Sequence, residues 1–223
     1  MTAFGGVSVD IGRRIAAIIC ASTALLFSAL SPAFADDEAE TFIAGIMLEA
    51  KPFLLNADEA ARNKGIGELV EKYVDMRRAA HFSLGQYARQ LREDQRETYY
   101  TVFAEYVTPI YQNLLSDYAG RTLYVTGSQT LSARDIIVNC QIENPAADDP
   151  LKDAVVHWRL YRSRDGSLSL FDAGVTTPSL ELWLAASQFQ SQFKSIVANN
   201  GGGAAGIDAL IAELQAEVAK FTN

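Results

Sequence analysis

The chain has very few of the residues that build metal sites. Only two histidines, His81 and His157, occur among its 223 residues. Neither belongs to an H-x-x-x-H motif, and the sequence has no C-x-x-C or calcium-loop spacing. We therefore expect both histidines to be solvated or at the edge of the core rather than metal ligands.

Cysteine is equally scarce, which limits both disulfides and thiol chemistry. Cys20 lies in an apolar run near the N-terminus, and Cys140 is the one cysteine beyond it. A single thiol cannot form an internal disulfide, so the fold must rest on its hydrophobic core. Cys140 alternates with Ile136, Val138 and Ile142, a pattern that predicts a buried small hydrophobe rather than a nucleophile.

Long hydrophobic runs are also missing, apart from residues 15–30. That run follows Arg13 and Arg14 and precedes the triplet Ala33-Phe34-Ala35. A basic start, a short apolar run and small residues at a cleavage point are typical of a secretory signal. The alternative, a membrane anchor, is disfavoured because spanning a bilayer takes roughly 20 apolar residues. We expect cleavage after Ala35, which leaves residues 36–223 as a single domain.

The chain carries an excess of acidic groups, with a net charge of −8. The predicted signal holds two arginines and one aspartate, so the mature chain would carry −9. An acidic protein has no general attraction for nucleic acid or for anionic membrane surfaces. We therefore expect no nucleic-acid partner.

Motifs for catalysis are absent too. The sequence has no G-x-S-x-G, no P-loop and no dinucleotide-binding glycine pattern. Asp172, at the end of a predicted core strand, is the carboxylate that could act as a general base with a raised pKa. Capping the following turn is the commoner role for such a residue and is favoured.

The apolar periodicity divides the chain into thirds. Residues 37–118 and 182–221 have helical spacing, with Asn199 to Gly203 breaking the second region. Four segments between them alternate with period two, at residues 123–125, 135–142, 154–161 and 168–173. Short connections predict an antiparallel meander. The fold class is therefore α+β: a four-stranded twisted antiparallel sheet packed against several helices around an apolar cavity, with an NTF2-like shape.

Aromatic residues are plentiful between Tyr73 and Tyr118, where nine occur in under fifty residues. They could form an ordinary core. They could also line a pocket that is apolar in its depth and has tyrosine hydroxyls near its mouth.

The order of these segments resembles the toluene-tolerance/MlaC family of periplasmic phospholipid-binding proteins. Residues 69–76 resemble the family's "LxxYVDxxxM", residues 84–89 its "LGxYWR", and residues 191–214 its closing "SQFxSIxxxxGGxxxLIxxL". Residues 93–120 follow its long helix. Ala88 stands where the family often has Trp, and residues 173–180 depart from its usual "xxxEGVSL".

The resemblance implies a non-enzymatic, monomeric periplasmic lipid carrier that maintains outer-membrane lipid asymmetry. Its partners would be a phospholipid, an inner-membrane lipid ABC transporter and an outer-membrane lipoprotein–porin complex. No cofactor is implied beyond the phospholipid carried as cargo, and a hopanoid cargo stays open. The candidate lining residues are Phe42, Ile46, Val74, Leu84, Phe103, Val107, Ile110, Val138, Trp158, Leu160, Phe171 and Phe193.

Two other functions remain open on the residues alone. One is an NTF2-like enzyme with Asp172 or His157 as base, acting on a small apolar substrate. The other is a non-catalytic envelope adaptor with a solid core. A large apolar cavity would favour the carrier, a small polar one the enzyme, and a filled core the adaptor.

Overall fold

The computed structural model describes residues 35–116 and 118–221, without the side chains of residues 114 and 181–183. The predicted signal peptide lies outside these residues, except for Ala35. Within these described residues, six α-helices and five strands follow one another: α1 Asp37–Leu54, α2 Glu59–Tyr73, α3 Met76–Leu84, a 3-10 helix Gly85–Gln90, α4 Glu93–Ser116, β1 Leu123–Ser132, β2 Asp135–Ile142, β3 Val155–Arg162, β4 Leu168–Thr177, β5 Leu180–Leu184, α5 Ala185–Asn199 and α6 Gly203–Phe221.

Aspartates fix where the first three helices begin. The side chains of Asp36, Asp58 and Asp75 accept hydrogen bonds from backbone N–H groups three residues ahead, at 3.0, 3.0 and 2.9 Å. Such caps satisfy donors that the first helical turn leaves unpaired. Helix α3 ends at Gly85, which adopts a positive φ of 54°, a conformation that favours glycine.

The strands form one antiparallel sheet in the order β1-β2-β3-β4-β5, the meander that the short turns predicted. The sheet has one more strand than the sequence pattern indicated. Leu182, which the helical stripe had placed in a helix, belongs to β5, and α5 begins only at Ala185. The α+β class is confirmed.

A β-bulge in β4 changes which of its residues are buried. The register against β3 shifts between Arg159 and Leu160. As a result Leu170, Phe171 and Asp172 are buried in succession, where a regular strand would bury alternate residues.

The core has two clusters that meet along β4. One joins α2–α6 and includes Phe103, Phe171 and Phe193. The other joins α1 to the sheet and includes Ile43 and Trp158. The chain between α2 and α3 is tied to β4 here, since the Asp75 N–H donates to the Leu170 carbonyl at 2.7 Å. Within the described residues, no helix combines the length and apolar character of a membrane span.

Candidate ligand cavity

The two clusters leave a cavity between the sheet and the helices. Its volume is about 160 Å³. The walls come from α2, from the C-terminal half of α4 and the turn after it, from the β2–β3 loop, and from β3 and β4. The lining residues are Val70, Val74, Tyr111, Leu115, Tyr118, Leu151, Val156, Trp158, Leu170, Asp172, Ala173, Gly174, Val175 and Thr177.

Most of this lining is apolar because the strands and the helices each place their hydrophobic side chains on the face that meets the other layer. On β3, Val156 and Trp158 are buried two residues apart, as alternation requires. On α4, Tyr111 and Leu115 are four residues apart and share one helix face. None of these lining residues is a lysine, arginine or histidine.

Asp172 is the one carboxylic acid among the described residues of the wall. It is only 3% exposed. Its Oδ1 accepts hydrogen bonds from the N–H groups of Ala173 at 2.9 Å and Ala186 at 2.8 Å, the latter in the first turn of α5. Its Oδ2 is buried and has no hydrogen-bond partner among the described residues. Burial raises the Asp172 pKa from 3.8 to about 6, although the two amide donors and Arg159 act in the opposite direction. Asp172 thus lies within β4 rather than at its end, and it holds the first turn of α5 instead of capping a turn that directly follows it. Its second oxygen has no partner among the described residues.

Two more buried polar groups of the lining lack partners within the described residues. These are the Tyr111 hydroxyl and the Trp158 indole N–H, on side chains that are each 6% exposed. Burial raises the Tyr111 pKa first, and the Asp172 charge raises it further. The cavity therefore combines apolar walls with a few uncompensated hydrogen-bonding groups.

Two of the twelve candidate lining residues, Val74 and Trp158, line this cavity. The other ten lie outside it, in the packed clusters, and Phe42 also lines a separate surface pocket beside the start of α1. Leu84, Phe103, Val107, Phe171 and Phe193 are buried in the helical cluster, with Ile110 packed on it. Ile46, Val138 and Leu160 are buried between α1 and the sheet, with Phe42 packed beside them.

The cavity is apolar, as the carrier hypothesis required, but smaller than expected. A carrier that encloses two acyl chains needs a volume near the upper end of the roughly 300–1,000 Å³ typical of ligand sites. A cavity of about 160 Å³ resembles in size an engineered one of about 150 Å³ that binds benzene. Complete enclosure of two acyl chains would therefore need the walls to move apart.

The histidines and Cys140 lie outside the lining. The ring nitrogens of His157 lie 2.8 Å from Asn139 Oδ1 and 2.8 Å from Thr176 Oγ1, and partial burial lowers the His157 pKa. His81 is exposed. Cys140 is fully buried, and burial raises its thiol pKa to about 12, so it behaves as the hydrophobe that we predicted. The described residues contain no cluster of three potential metal ligands.

A comparison with protein families decides the assignment. The family described as "MlaC protein" matches residues 46–216. The chain belongs to the MlaC family. The matched region runs from within α1 into α6, so it spans every element that lines the cavity.

A solved structure has the same fold as this MlaC-family chain. It is the phospholipid-binding protein from Ralstonia solanacearum, solved in complex with a phospholipid. The two share 16% sequence identity with a TM-score of 0.61, over 84% of this chain and 99% of the other. At this identity the likeness establishes the fold and leaves the ligand of this chain to be inferred.

Proposed function

We propose that this protein is a periplasmic lipid carrier. It takes a phospholipid into the cavity between α2, α4 and the sheet, and carries it between an inner-membrane ABC transporter and an outer-membrane lipoprotein–porin complex. The apolar cavity walls are the observation that supports this function most directly. Membership of the MlaC family and the phospholipid bound by the R. solanacearum protein add to that support.

The physical need for a carrier comes from the acyl chains. A two-chain phospholipid exposes roughly thirty methylenes, each worth about 0.8 kcal/mol, so its free passage through water costs on the order of 24 kcal/mol. Apolar walls reduce this cost by covering the chains. The headgroup can remain in water, which is consistent with a lining that has no basic residue.

Entry of an acyl chain requires the cavity to widen, and we infer that the β2–β3 loop moves, since loops are generally more mobile than the elements they connect. Leu151 extends from this loop into the lining. Its backbone N–H donates to Asp149 at 2.9 Å, and Asp149 is held by Arg121 in a two-pronged ion pair at 2.7 and 2.9 Å. The Arg121–Asp149 pair therefore positions Leu151 over the apolar space.

The acidic charge of the chain suits a carrier that must leave membranes after exchange. With its signal removed, the protein would carry a net charge of −9. Anionic lipid surfaces attract basic segments and repel acidic ones. The protein would thus stay on a membrane only where a partner protein holds it.

The enzyme hypothesis has one observation in its favour, the raised Asp172 pKa in a small cavity. A general base also needs an acid or electrophile that faces the same substrate. The lining supplies no lysine, arginine or histidine for that role, and His157 lies outside it. The Tyr111 hydroxyl faces the same space, but burial and the Asp172 charge raise its pKa and make it a poorer acid. One Asp172 oxygen is also occupied by holding α5. The carrier is therefore the better-supported function.

The deciding experiment is native mass spectrometry of the mature protein purified from a periplasmic extract without detergent, followed by lipid extraction. We expect about one phospholipid per protein. An apo mass, together with no uptake from phosphatidylethanolamine and phosphatidylglycerol vesicles, would overturn the carrier function and favour the adaptor.

A further inference from the structure

Two polar side chains on opposite walls of the cavity have unused hydrogen-bonding capacity. Tyr111 projects from α4 and Asp172 from β4, and both line the cavity. The Tyr111 hydroxyl and the Asp172 Oδ2 each lack a hydrogen-bond partner among the described residues, although the side chains are 6% and 3% exposed. Buried polar groups are normally paired, since leaving one unpaired costs about 1–3 kcal/mol.

The Asp172 carboxyl group is not free to turn toward another partner. The two amides that donate to Asp172 Oδ1 fix the plane of the carboxyl group, so Oδ2 keeps its direction. Arg159, whose charge acts on Asp172, is held by Asp135 through contacts of 2.9 and 2.6 Å. The charge on Asp172 also acts on the Tyr111 hydroxyl, which places the two groups in the same electrostatic environment.

Together the pair specifies one kind of ligand group. An ionised carboxylate oxygen only accepts hydrogen bonds, whereas a phenol hydroxyl can donate one. A group that fits between them must donate to Asp172 and accept from Tyr111. A hydroxyl does both, while ester and ether oxygens only accept.

We propose that Tyr111 and Asp172 form a subsite for a hydroxyl group carried on an apolar body, so that the cavity selects hydroxyl-bearing lipids over those with only ester or ether oxygens. The subsite rests on the proposed carrier function, because the apolar body must enter the same cavity. It goes beyond that function by assigning a polar recognition element to the apolar space.

The test compares two probes of nearly equal length, 1-dodecanol and 1-methoxydodecane, by displacement of a fluorescent fatty acid from the mature protein. The ether is the more apolar probe and binds more tightly if only burial matters. We expect the alcohol to bind about tenfold more tightly, the size of one hydrogen bond to a charged group. Equal binding, or tighter binding of the ether, would overturn the subsite and leave an internal water as the partner of both groups.

Two variants separate the roles of the residues. In Asp172→Asn the side-chain oxygen can still accept from Ala173 and Ala186. The atom in the place of Oδ2 becomes an NH2 group, which donates hydrogen bonds instead of accepting them. The alcohol should then lose its advantage over the ether. In Tyr111→Phe both probes should weaken by several-fold, because both accept from the tyrosine, while dodecane binds as before. Tyr124→Phe is the control, since the Tyr124 side chain is exposed and outside the cavity.

The outcomes also separate the subsite from the carrier function. Phospholipid uptake with no alcohol preference removes the subsite and keeps the carrier. Failure to take up phospholipid, with dodecanol, its ether and dodecane also unbound, removes both.

Discussion

The Asp172 carboxylate accepts a hydrogen bond from the backbone N–H of Ala186 at 2.8 Å, joining strand β4 to the first turn of α5. The two residues are 14 apart in the sequence, and β5 lies between them along the chain. A single buried acid thus holds a helix terminus and contributes to the cavity wall at the same time.

The first prediction concerns the pH dependence of stability. Burial raises the Asp172 pKa in the folded chain to about 6, above the 3.8 of an unperturbed aspartate. The folded chain therefore retains a proton that the unfolded chain loses. The contribution of this proton to the free energy of unfolding is fully present below pH 4 and is lost as pH rises through 6.

Asp172→Asn should remove this dependence while keeping an oxygen for the α5 amides. We expect the variant to be more stable than the parent at pH 7, by an amount of the order of 3 kcal/mol, with a much smaller difference at pH 4. Urea unfolding of both proteins at pH 4, 5, 6 and 7 measures it. A constant difference across this range would contradict the assigned pKa.

The second prediction compares two buried tyrosines. The Tyr99 hydroxyl donates to the Ala80 carbonyl at 2.9 Å, whereas the Tyr111 hydroxyl has no partner among the described residues. Tyr99→Phe should cost about 1 kcal/mol or more, and Tyr111→Phe should be neutral or stabilising. Thermal and urea unfolding of the two variants provide the measurement. A similar loss in both would mean that the Tyr111 hydroxyl is satisfied in solution.

The third prediction tests whether the cavity carries the lipid. Val175 lines the cavity, while Val155 lies outside it, and both are half-buried valines on neighbouring strands. Val175→Phe should fill the space and reduce the co-purified phospholipid severalfold. Val155→Phe, a change of the same size, should leave the lipid content near that of the parent. Equal lipid content in both variants would place the lipid elsewhere on the protein.

The fourth prediction concerns access. Arg121→Ala should free Asp149 and Leu151, and so speed phospholipid transfer between labelled vesicles severalfold. The bound state should lose affinity because the loop covers the lipid less well. Arg134→Ala serves as a comparison, since Arg134 is exposed and distant in the chain from that loop. If transfer by Arg121→Ala is unchanged or slower, entry follows another route.

The fifth prediction uses two helical glycines. A Cβ at Gly206 would lie 2.3 Å from the Val197 carbonyl oxygen, so the close approach of α5 and α6 depends on this glycine. A Cβ at Gly45 in α1 would meet no atom within 4 Å. Gly45→Ala should stabilise the protein by up to about 1 kcal/mol, because alanine favours helix. Gly206→Ala should destabilise it, by about 1–3 kcal/mol. Urea unfolding curves of the two variants measure these changes. Equal changes in the free energy of unfolding would contradict the close packing of α5 against α6.

Much of the fold could be predicted from local sequence patterns. Asp75 and Gly85 mark the two ends of α3 because a capping aspartate and a glycine with positive φ act within a single turn. Strand β2 was predicted at residues 135–142 and is found there, since Ile136, Val138, Cys140 and Ile142 recur at every second position. The fifth strand was missed because its leucines continue the helical stripe of α5. Only pairing with β4, a contact between separate strands, distinguishes the two.

The cavity was far less predictable. Phe103 and Trp158 are the same kind of residue in sequence terms, yet one packs in the helical cluster and the other lines the gap. The difference depends on how far α4 stands from β3, which is a tertiary property. Tyr111 and Tyr118 did carry a signal, because they belong to the run of aromatic residues for which a tyrosine-bearing lining was one of two interpretations.

The capped start of α1 has a consequence for the protein's exposure to proteases. Asp36 receives two contacts from Arg162, at 2.7 and 2.8 Å, and its N–H donates to Ser128 at 2.7 Å. Exopeptidases work inward from loose chain ends. A chain cut after Ala35 would begin on a residue already bound to β1 and β3, so an aminopeptidase would have to detach the first helix before it could remove a single residue.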